Sequence, residues 1–186
     1  MINYKRFAAE AFAHANGIDK RVWGKPGARI GFVEAGKNWL DLIHAFSLLN
    51  IDEREAERLG LTAYKIGQTF PMDRRGFHDW AEGLDLIVVV EEKRKLIEVQ
   101  VKEAIFDDRR GRRVYGWHKG DEHSEGRREE IFQTKADLNP IMIAEKLGEI
   151  LVEEGCGSDG VKVGLAELSE ARRADNAPEI DRKSVV

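Results

Sequence analysis

Residues 86–90 of the chain read Leu-Ile-Val-Val-Val, an apolar and mostly β-branched run without a polar interruption. Such a run is typical of a strand covered on both faces, as in a parallel sheet between two layers of helices. Two further short apolar runs precede it, at 28–33 and 61–66, and residues 114–117 form a fourth. These four runs predict the strands of one sheet.

Helical patterns separate these strands. Apolar residues from Trp39 to Leu49 recur on one helical face, and shorter helices are predicted near 53–59, 75–82 and 97–105. Asn139 as N-cap and Pro140 at the first helical position predict the start of a last helix. Alternation of strand and helix favours right-handed crossovers. The predicted fold is therefore α/β, a three-layer α/β/α sandwich with a mostly parallel sheet.

The chain is predicted to divide into three segments. Residues 1–27 form an N-terminal helix, with an apolar stripe of Phe7, Ala8, Ala11 and Phe12, and a linker. Residues 28–154 form the α/β domain. Residues 155–186 have few large apolar side chains and are predicted to be mainly a linker or tail, in which the pattern allows a short helix over 163–173.

Composition excludes several classes of protein. The 186 residues carry 30 Lys and Arg against 34 Asp and Glu, a balance that disfavours a dedicated nucleic-acid binder. The single cysteine, Cys156, excludes an internal disulfide and a multi-cysteine metal site. No apolar run approaches the roughly 20 residues that span a bilayer, and the start lacks the apolar stretch of a secretory signal. A cytoplasmic protein that binds neither nucleic acid nor membrane is expected.

Ligands of open α/β sheets gather beyond the carboxyl ends of the strands, where segments 34–37, 67–71 and 91–94 are expected to converge. Gly36 and Lys37 follow one strand, and free N–H groups there could receive an anion, although a glycine at such a turn is commonly present for steric reasons. The charges after 86–90 could orient a ligand or complement a helix dipole. The candidate ligand-facing or interdomain residues are Glu34, Gly36, Lys37, Glu91, Glu92 and Lys93.

The other polar clusters of the sequence do not favour a ligand or metal site. His118, Asp121 and His123 lie close together, but the polar surroundings favour a solvated loop over a metal site. The basic cluster 109–113 lies in a stretch, 107–130, where seven acids balance seven Arg and Lys, which favours a surface of mixed charge. No nucleophile, base and oxyanion hole can be assembled. No catalytic residue and no metal ligand is therefore predicted.

Three ordered blocks resemble a known family. Gly31–Leu42, Tyr64–Met72 and Val88–Arg94, together with Leu138-Asn-Pro140, are similar to blocks of indolepyruvate ferredoxin oxidoreductase. The similarity covers residues 28–153. It implies a transketolase C-terminal-like domain with a mixed sheet of about five strands, one of them antiparallel. The resemblance places the fifth strand at 130–135.

The resemblance also implies a function. Members of this family oxidatively decarboxylate 2-oxoacids, chiefly arylpyruvates, to acyl-CoA, using thiamine diphosphate, magnesium and iron–sulfur clusters, and pass the electrons to ferredoxin. The thiamine and cluster motifs of the family do not occur in this sequence. The resemblance therefore implies an internal, non-catalytic domain of a larger enzyme that binds no cofactor alone, has the other domains as partners and shapes access of coenzyme A.

Two alternatives remain. The chain could be an independent α/β binding module for an anionic ligand, because the absence of a catalytic constellation fits both functions. A flavodoxin-like receiver or nucleotide domain is disfavoured, because a receiver needs an acidic cluster at the first strand end and Glu34 stands alone there.

Overall fold

The computed structural model describes residues 2–119, 129–132 and 137–175. The helices of this part of the chain are α1 (Ile2–Ala15), α2 (Asn38–Leu48), α3 (Glu53–Arg58), α4 (Arg74–Ala81), α5 (Leu96–Ala104), α6 (Pro140–Glu153) and α7 (Asp159–Asp175), with a 3-10 turn at Phe106–Asp108. The strands are β1 (Lys20–Trp23), β2 (Ile30–Ala35), β3 (Leu61–Ile66), β4 (Leu86–Val89), β5 (Arg113–Tyr115), β6 (His118–Lys119) and β7 (Glu129–Glu130). No helix in these ranges is long and apolar enough to cross a membrane.

Five strands form one mixed sheet in the order β1-β3-β2-β4-β5. The pairs β2–β3, β2–β4 and β4–β5 are parallel, whereas β1 runs antiparallel to β3 at one edge. One apolar core lies between the sheet and α2, α3, α6 and α7, and a second between the sheet and α4 and α5. The predicted three-layer α/β fold with a mostly parallel sheet is confirmed.

The fifth strand lies in a different place from the one that the resemblance implied. In the described sheet it is β1, in the segment predicted to hold a helix and a linker. Glu129 and Glu130 instead pair with β6 in a separate two-stranded ribbon, and residues 133–136 lie outside the described ranges. The strand β1 is short, on a sheet edge and only half-buried, so it carries no apolar run that a pattern could detect.

The helix α1 is present as predicted, but its apolar stripe faces away from the core. Phe7 and Phe12 are each 60% exposed, and Ala13 is the position that is fully buried. The helix is attached by polar contacts, since Arg74 of α4 donates to Glu10 at 2.6 Å and His14 Nδ1 lies 2.9 Å from Asp73 Oδ2. Apolar periodicity therefore identified the helix but not the side that packs.

The segment after residue 155 contributes more than a linker. It contains α7, whose Val161 and Leu168 are buried in the core that α2 and α6 line. Two glycines permit this close packing, because a Cβ on Gly148 of α6 would overlap the side chain of Leu165 and one on Gly164 would overlap the backbone at Leu48. The short helix allowed over 163–173 is confirmed in a longer form.

Candidate functional site

The carboxyl ends of β2 and β4 meet at the chain segment that leads into α6. Lys37 Nζ, just after β2, donates to the carbonyl oxygen of Leu138 at 3.0 Å. The carboxylate of Glu92, just after β4, accepts from the N–H of Leu138 at 2.7 Å. Lys93 forms an ion pair with Asp137. The predicted convergence of these residues occurs, and it is centred on 137–138, which the strand-end argument did not include although Leu138 belongs to one of the blocks that carry the resemblance.

The side chain of Glu91 caps the N-terminus of α5. Its carboxylate accepts hydrogen bonds from the backbone N–H groups of Leu96 and Ile97, both at 2.8 Å, and of Glu98 at 3.1 Å. These N–H groups belong to the first turn, where a helix provides no internal acceptor. Burial raises the pKa of the Glu91 carboxyl, while the three N–H donors oppose the rise. Of the two interpretations of this charge, the structure supports complementarity to the helix start.

Replacement of Glu91 by alanine is expected to lower the free energy of unfolding by about 1–2 kcal/mol, because a helix cap of this kind is lost. Urea unfolding at neutral pH measures the difference. Glu53→Ala is the control, since Glu53 is an exposed glutamate in the first turn of α3, and an effect within about 0.5 kcal/mol is expected there. Equal losses in the two variants would contradict the capping role.

The exposed part of the candidate surface is small. Gly36 has φ of +63°, a backbone conformation that favours glycine. A Cβ at this position would meet no atom within 4 Å, so the glycine is needed for the backbone turn and not for close packing against a neighbour. Lys37 and Lys93 extend beside it, each with about 60% of the side chain exposed. Asp41 accepts from Lys37 Nζ at 2.7 Å and raises the pKa of that amine. Both lysines thus already hold carboxylate partners, and binding of a ligand at this surface remains a prediction.

The third predicted segment, 67–71, is held by Asp19, just before β1, and by Gln100 of α5. Asp19 accepts from the N–H groups of Gly67 and Gln68, both at 2.8 Å, and from that of Asp73 at 2.7 Å. Gln100 of α5 donates to the carbonyl of Thr69 at 2.8 Å. These contacts give the segment a structural role. No sequence motif marks Asp19. Its role as an acceptor depends on the fold, which brings three N–H groups to its carboxylate.

Glu34 does not belong to the exposed surface on which it was predicted. Its side chain is fully buried, and neither carboxylate oxygen has a hydrogen-bond partner among the described residues. It follows Phe32 by two positions on β2 and so faces the same core, with Lys65 as its register partner on β3. Burial raises the pKa of the Glu34 carboxyl well above its usual range, and nearby Asp41 adds to the rise while Lys65 opposes it.

This environment predicts a stabilising substitution. Because the pKa of Glu34 is raised on folding, the native protein binds more protons than the unfolded chain, and stability falls as pH rises above the usual glutamate range. Glu34→Met is expected to increase the free energy of unfolding at neutral pH by about 1–3 kcal/mol, since it removes an unpaired buried polar group. The gain shrinks as the pH is lowered toward 4.5, the ordinary pKa of the group.

Denaturant unfolding of both proteins across this pH range measures the effect, with Glu53→Met as the exposed control. A destabilised Glu34→Met variant at neutral pH would contradict the absence of a stabilising partner for Glu34.

The described residues assemble no reactive centre. They hold no group of three or more His, Cys, Asp and Glu side chains arranged for a metal ion. His118 is among them, whereas Asp121 and His123 lie outside the described ranges. Cys156 is buried, and this burial raises the pKa of its thiol, which opposes formation of a nucleophilic thiolate.

Comparison with known proteins gives the family. No curated protein matches the chain. The chain is similar to a solved structure described as a split gene transketolase, inactive beta4 tetramer, with 16% identity over 69% of this chain and 40% of that chain, at a TM-score of 0.43. The family model described as the indolepyruvate oxidoreductase domain matches residues 20–175, a range that begins at β1 and ends with α7. The chain therefore belongs to the indolepyruvate oxidoreductase domain family.

Proposed function

We propose that this chain is a non-catalytic domain of a cytoplasmic, thiamine-diphosphate-dependent arylpyruvate ferredoxin oxidoreductase, in which it holds neighbouring domains in place and shapes access of coenzyme A. The match of the family over residues 20–175 is the observation that carries the proposal. The enzyme converts a 2-oxoacid and coenzyme A to acyl-CoA and carbon dioxide, and passes two electrons to ferredoxin.

The polar residues at the strand ends support an architectural role. Glu91 and Glu92 accept from backbone N–H groups of this chain, and Lys37 donates to a backbone carbonyl. Groups used in this way join β2, β4, α5 and the start of α6 into one rigid edge. An edge of this kind positions neighbouring domains without taking part in the reaction.

The cofactors of the proposed enzyme do not fit this chain. Iron–sulfur clusters are held mainly by cysteine thiolates, about four per cluster, and this sequence has one cysteine, which is buried. A magnesium ion with thiamine diphosphate needs oxygen ligands, and the described ranges contain no cluster of three candidate ligands. The proposal therefore assigns these groups, and the binding of ferredoxin, to other domains.

Purification of the native gene product through a chromosomal tag tests the proposal. A polypeptide or complex much larger than 21.1 kDa is expected, which reduces ferredoxin when given an arylpyruvate and coenzyme A. The proposal would be overturned if the product had the size of the chain itself and if neither the product nor anything that copurifies with it reduced ferredoxin.

The role of the exposed strand-end surface is tested in the same preparation. Lys37→Glu is expected to weaken assembly or to raise the KM for coenzyme A, because it reverses a charge at the proposed domain contact. Lys162→Glu is the control, since Lys162 is an exposed lysine of α7, which begins beside the C-terminal end of α2, whereas Lys37 lies at the N-terminal end. Unchanged assembly and kinetics in the Lys37→Glu enzyme would refute the proposed contact.

A further inference from the structure

A groove with a volume of about 470 Å³ lies at the β5 edge of the sheet and shares no lining residue with the surface described above. The end of α5 and the 3-10 turn form one wall, and β5 and β6 form the other. Four cationic side chains line it, Lys102, Arg109, Arg113 and Lys119, and no acidic side chain is among its lining residues in the described ranges. The volume is that of a site for a small molecule.

The basic cluster 109–113, expected to be a surface of mixed charge, is divided by the fold. Arg110 pairs with Asp108, and the buried Arg112 donates to the carbonyl of Leu84 at 3.2 Å. Arg113 forms two hydrogen bonds of 2.7 Å with Glu154. Arg109, like Arg112, has no carboxylate within ion-pair distance in the part of the chain that the structure describes, but Arg109 is exposed and lines the groove.

The other cations of the groove are fixed in position from behind. Lys102 Nζ contacts the buried carboxylate of Glu98 at 2.5 Å, which leaves two of the three donors of the amine for another acceptor. Arg113 pairs with Glu154 and Lys119 with Glu153, and both cations lie over the ring of Tyr115, at 5.8 and 6.0 Å from its centroid. Fixed cations lose little conformational freedom when an anion binds between them.

The apolar residues of the groove provide a surface against which a ring can stack. Phe106 lies on its rim with 80% of its surface exposed, and Ile105 and Tyr115 form buried parts of the wall. A large aromatic side chain gains nothing from exposure to water, whereas it can stack with a planar ring. The groove thus combines a stacking surface with a set of cations.

From this combination we infer that the groove binds a nucleotide, with its base against Phe106 and its phosphates among Arg109, Lys102 and Arg113. Arginine and lysine are the usual partners of phosphate. Arg109 is the groove cation without a carboxylate within ion-pair distance among the described residues, and Lys102 keeps donors beyond its contact with Glu98. The same chemistry is present in a free nucleotide such as ADP and in the nucleotide portion of coenzyme A. The inference does not rest on the proposed function.

Isothermal titration of the 186-residue chain at low ionic strength tests the inference, with ADP, coenzyme A, adenosine, inorganic phosphate and indolepyruvate as separate ligands. ADP is expected to bind, and adenosine and phosphate alone to bind at least about tenfold more weakly, because each keeps only one of the two contacts. Similar affinities for ADP and coenzyme A indicate a nucleotide site as such. Tighter binding of coenzyme A by about tenfold or more identifies that molecule as the source.

Paired variants locate the site. Arg109→Ala is expected to weaken ADP binding by about tenfold or more, since a charge-assisted hydrogen bond is removed, while the neighbouring Arg110→Ala changes it less than about twofold. Phe106→Ala is expected to weaken binding, and Phe12→Ala, at an exposed phenylalanine of α1, is its control. Three results would overturn the inference: no binding of ADP, equal effects of each variant and its control, or tighter binding of indolepyruvate than of ADP.

Discussion

Asp19→Ala is expected to lower the free energy of unfolding by about 3–5 kcal/mol, because one buried carboxylate satisfies three backbone N–H groups and each costs roughly 1–3 kcal/mol when left unpaired in the interior. The aspartate is 4% exposed, and its acceptors hold Gly67, Gln68 and Asp73 at 2.7–2.8 Å. The loss affects both the turn after β3 and the start of α4. Thermal or urea unfolding of the isolated chain measures it.

Two further variants make this result specific. Asp19→Asn retains one carbonyl oxygen as acceptor, so an intermediate loss is expected. Asp85→Ala removes a carboxylate that is 61% exposed and paired with the exposed Arg29, and a change below about 1 kcal/mol is expected for such a pair. If Asp19→Ala were no more destabilising than Asp85→Ala, the three hydrogen bonds would not hold this part of the fold.

Gly164→Ala is expected to destabilise the protein by about 2–3 kcal/mol, although alanine favours a helix over glycine by about 1 kcal/mol. A Cβ at this position of α7 would overlap the carbonyl oxygen of Leu48 and lie 2.8 Å from the Cα of Leu49. Both are backbone atoms, which cannot rotate away as a flexible side chain can. The variant therefore displaces α7 from the end of α2.

Gly160→Ala is the matched control in the same helix. The nearest atom to its Cβ would be the Cβ of Asn50 at 3.3 Å, which requires a shift of only a few tenths of an ångström. Its free energy of unfolding is expected to lie within about 1 kcal/mol of the native value, and urea unfolding of both variants provides the comparison. A Gly164→Ala protein as stable as Gly160→Ala would contradict the close packing of α7 on α2.

Local patterns predicted those elements whose burial or capping can be read from their own residues. The apolar run at 61–66 gave the bounds of β3, and the run at 86–90 gave β4, because a strand buried on both faces has no polar positions. Asn139 and Pro140 predicted the start of α6, and Asn139 Oδ1 indeed accepts from the N–H of Met142 at 3.0 Å. Each of these signals lies within a few residues and needs no distant partner.

Contacts between distant parts of the chain decided the rest. The charges at 91–93 could be located at a strand end from the sequence, but the use of Glu91 by the N–H groups of α5 depends on how the chain turns after β4. The position of Leu138 between Lys37 and Glu92 joins residues about 100 and 46 positions apart. No local pattern reports such a contact.

Local sequence patterns were enough to predict the layered α/β architecture, the order of most elements and the family resemblance, since burial imposes a period on helices and strands that the residues display directly. Contacts in the folded chain established that Lys20–Trp23 is the antiparallel edge strand and that the apolar stripe of α1 faces outward. They also showed that Glu34 is buried with no hydrogen-bond partner among the described residues. The fold likewise placed Arg109, which has no carboxylate within ion-pair distance among the described residues, beside the groove. Pairing, burial and charge balance depend on neighbours in space, whereas the sequence shows only neighbours along the chain.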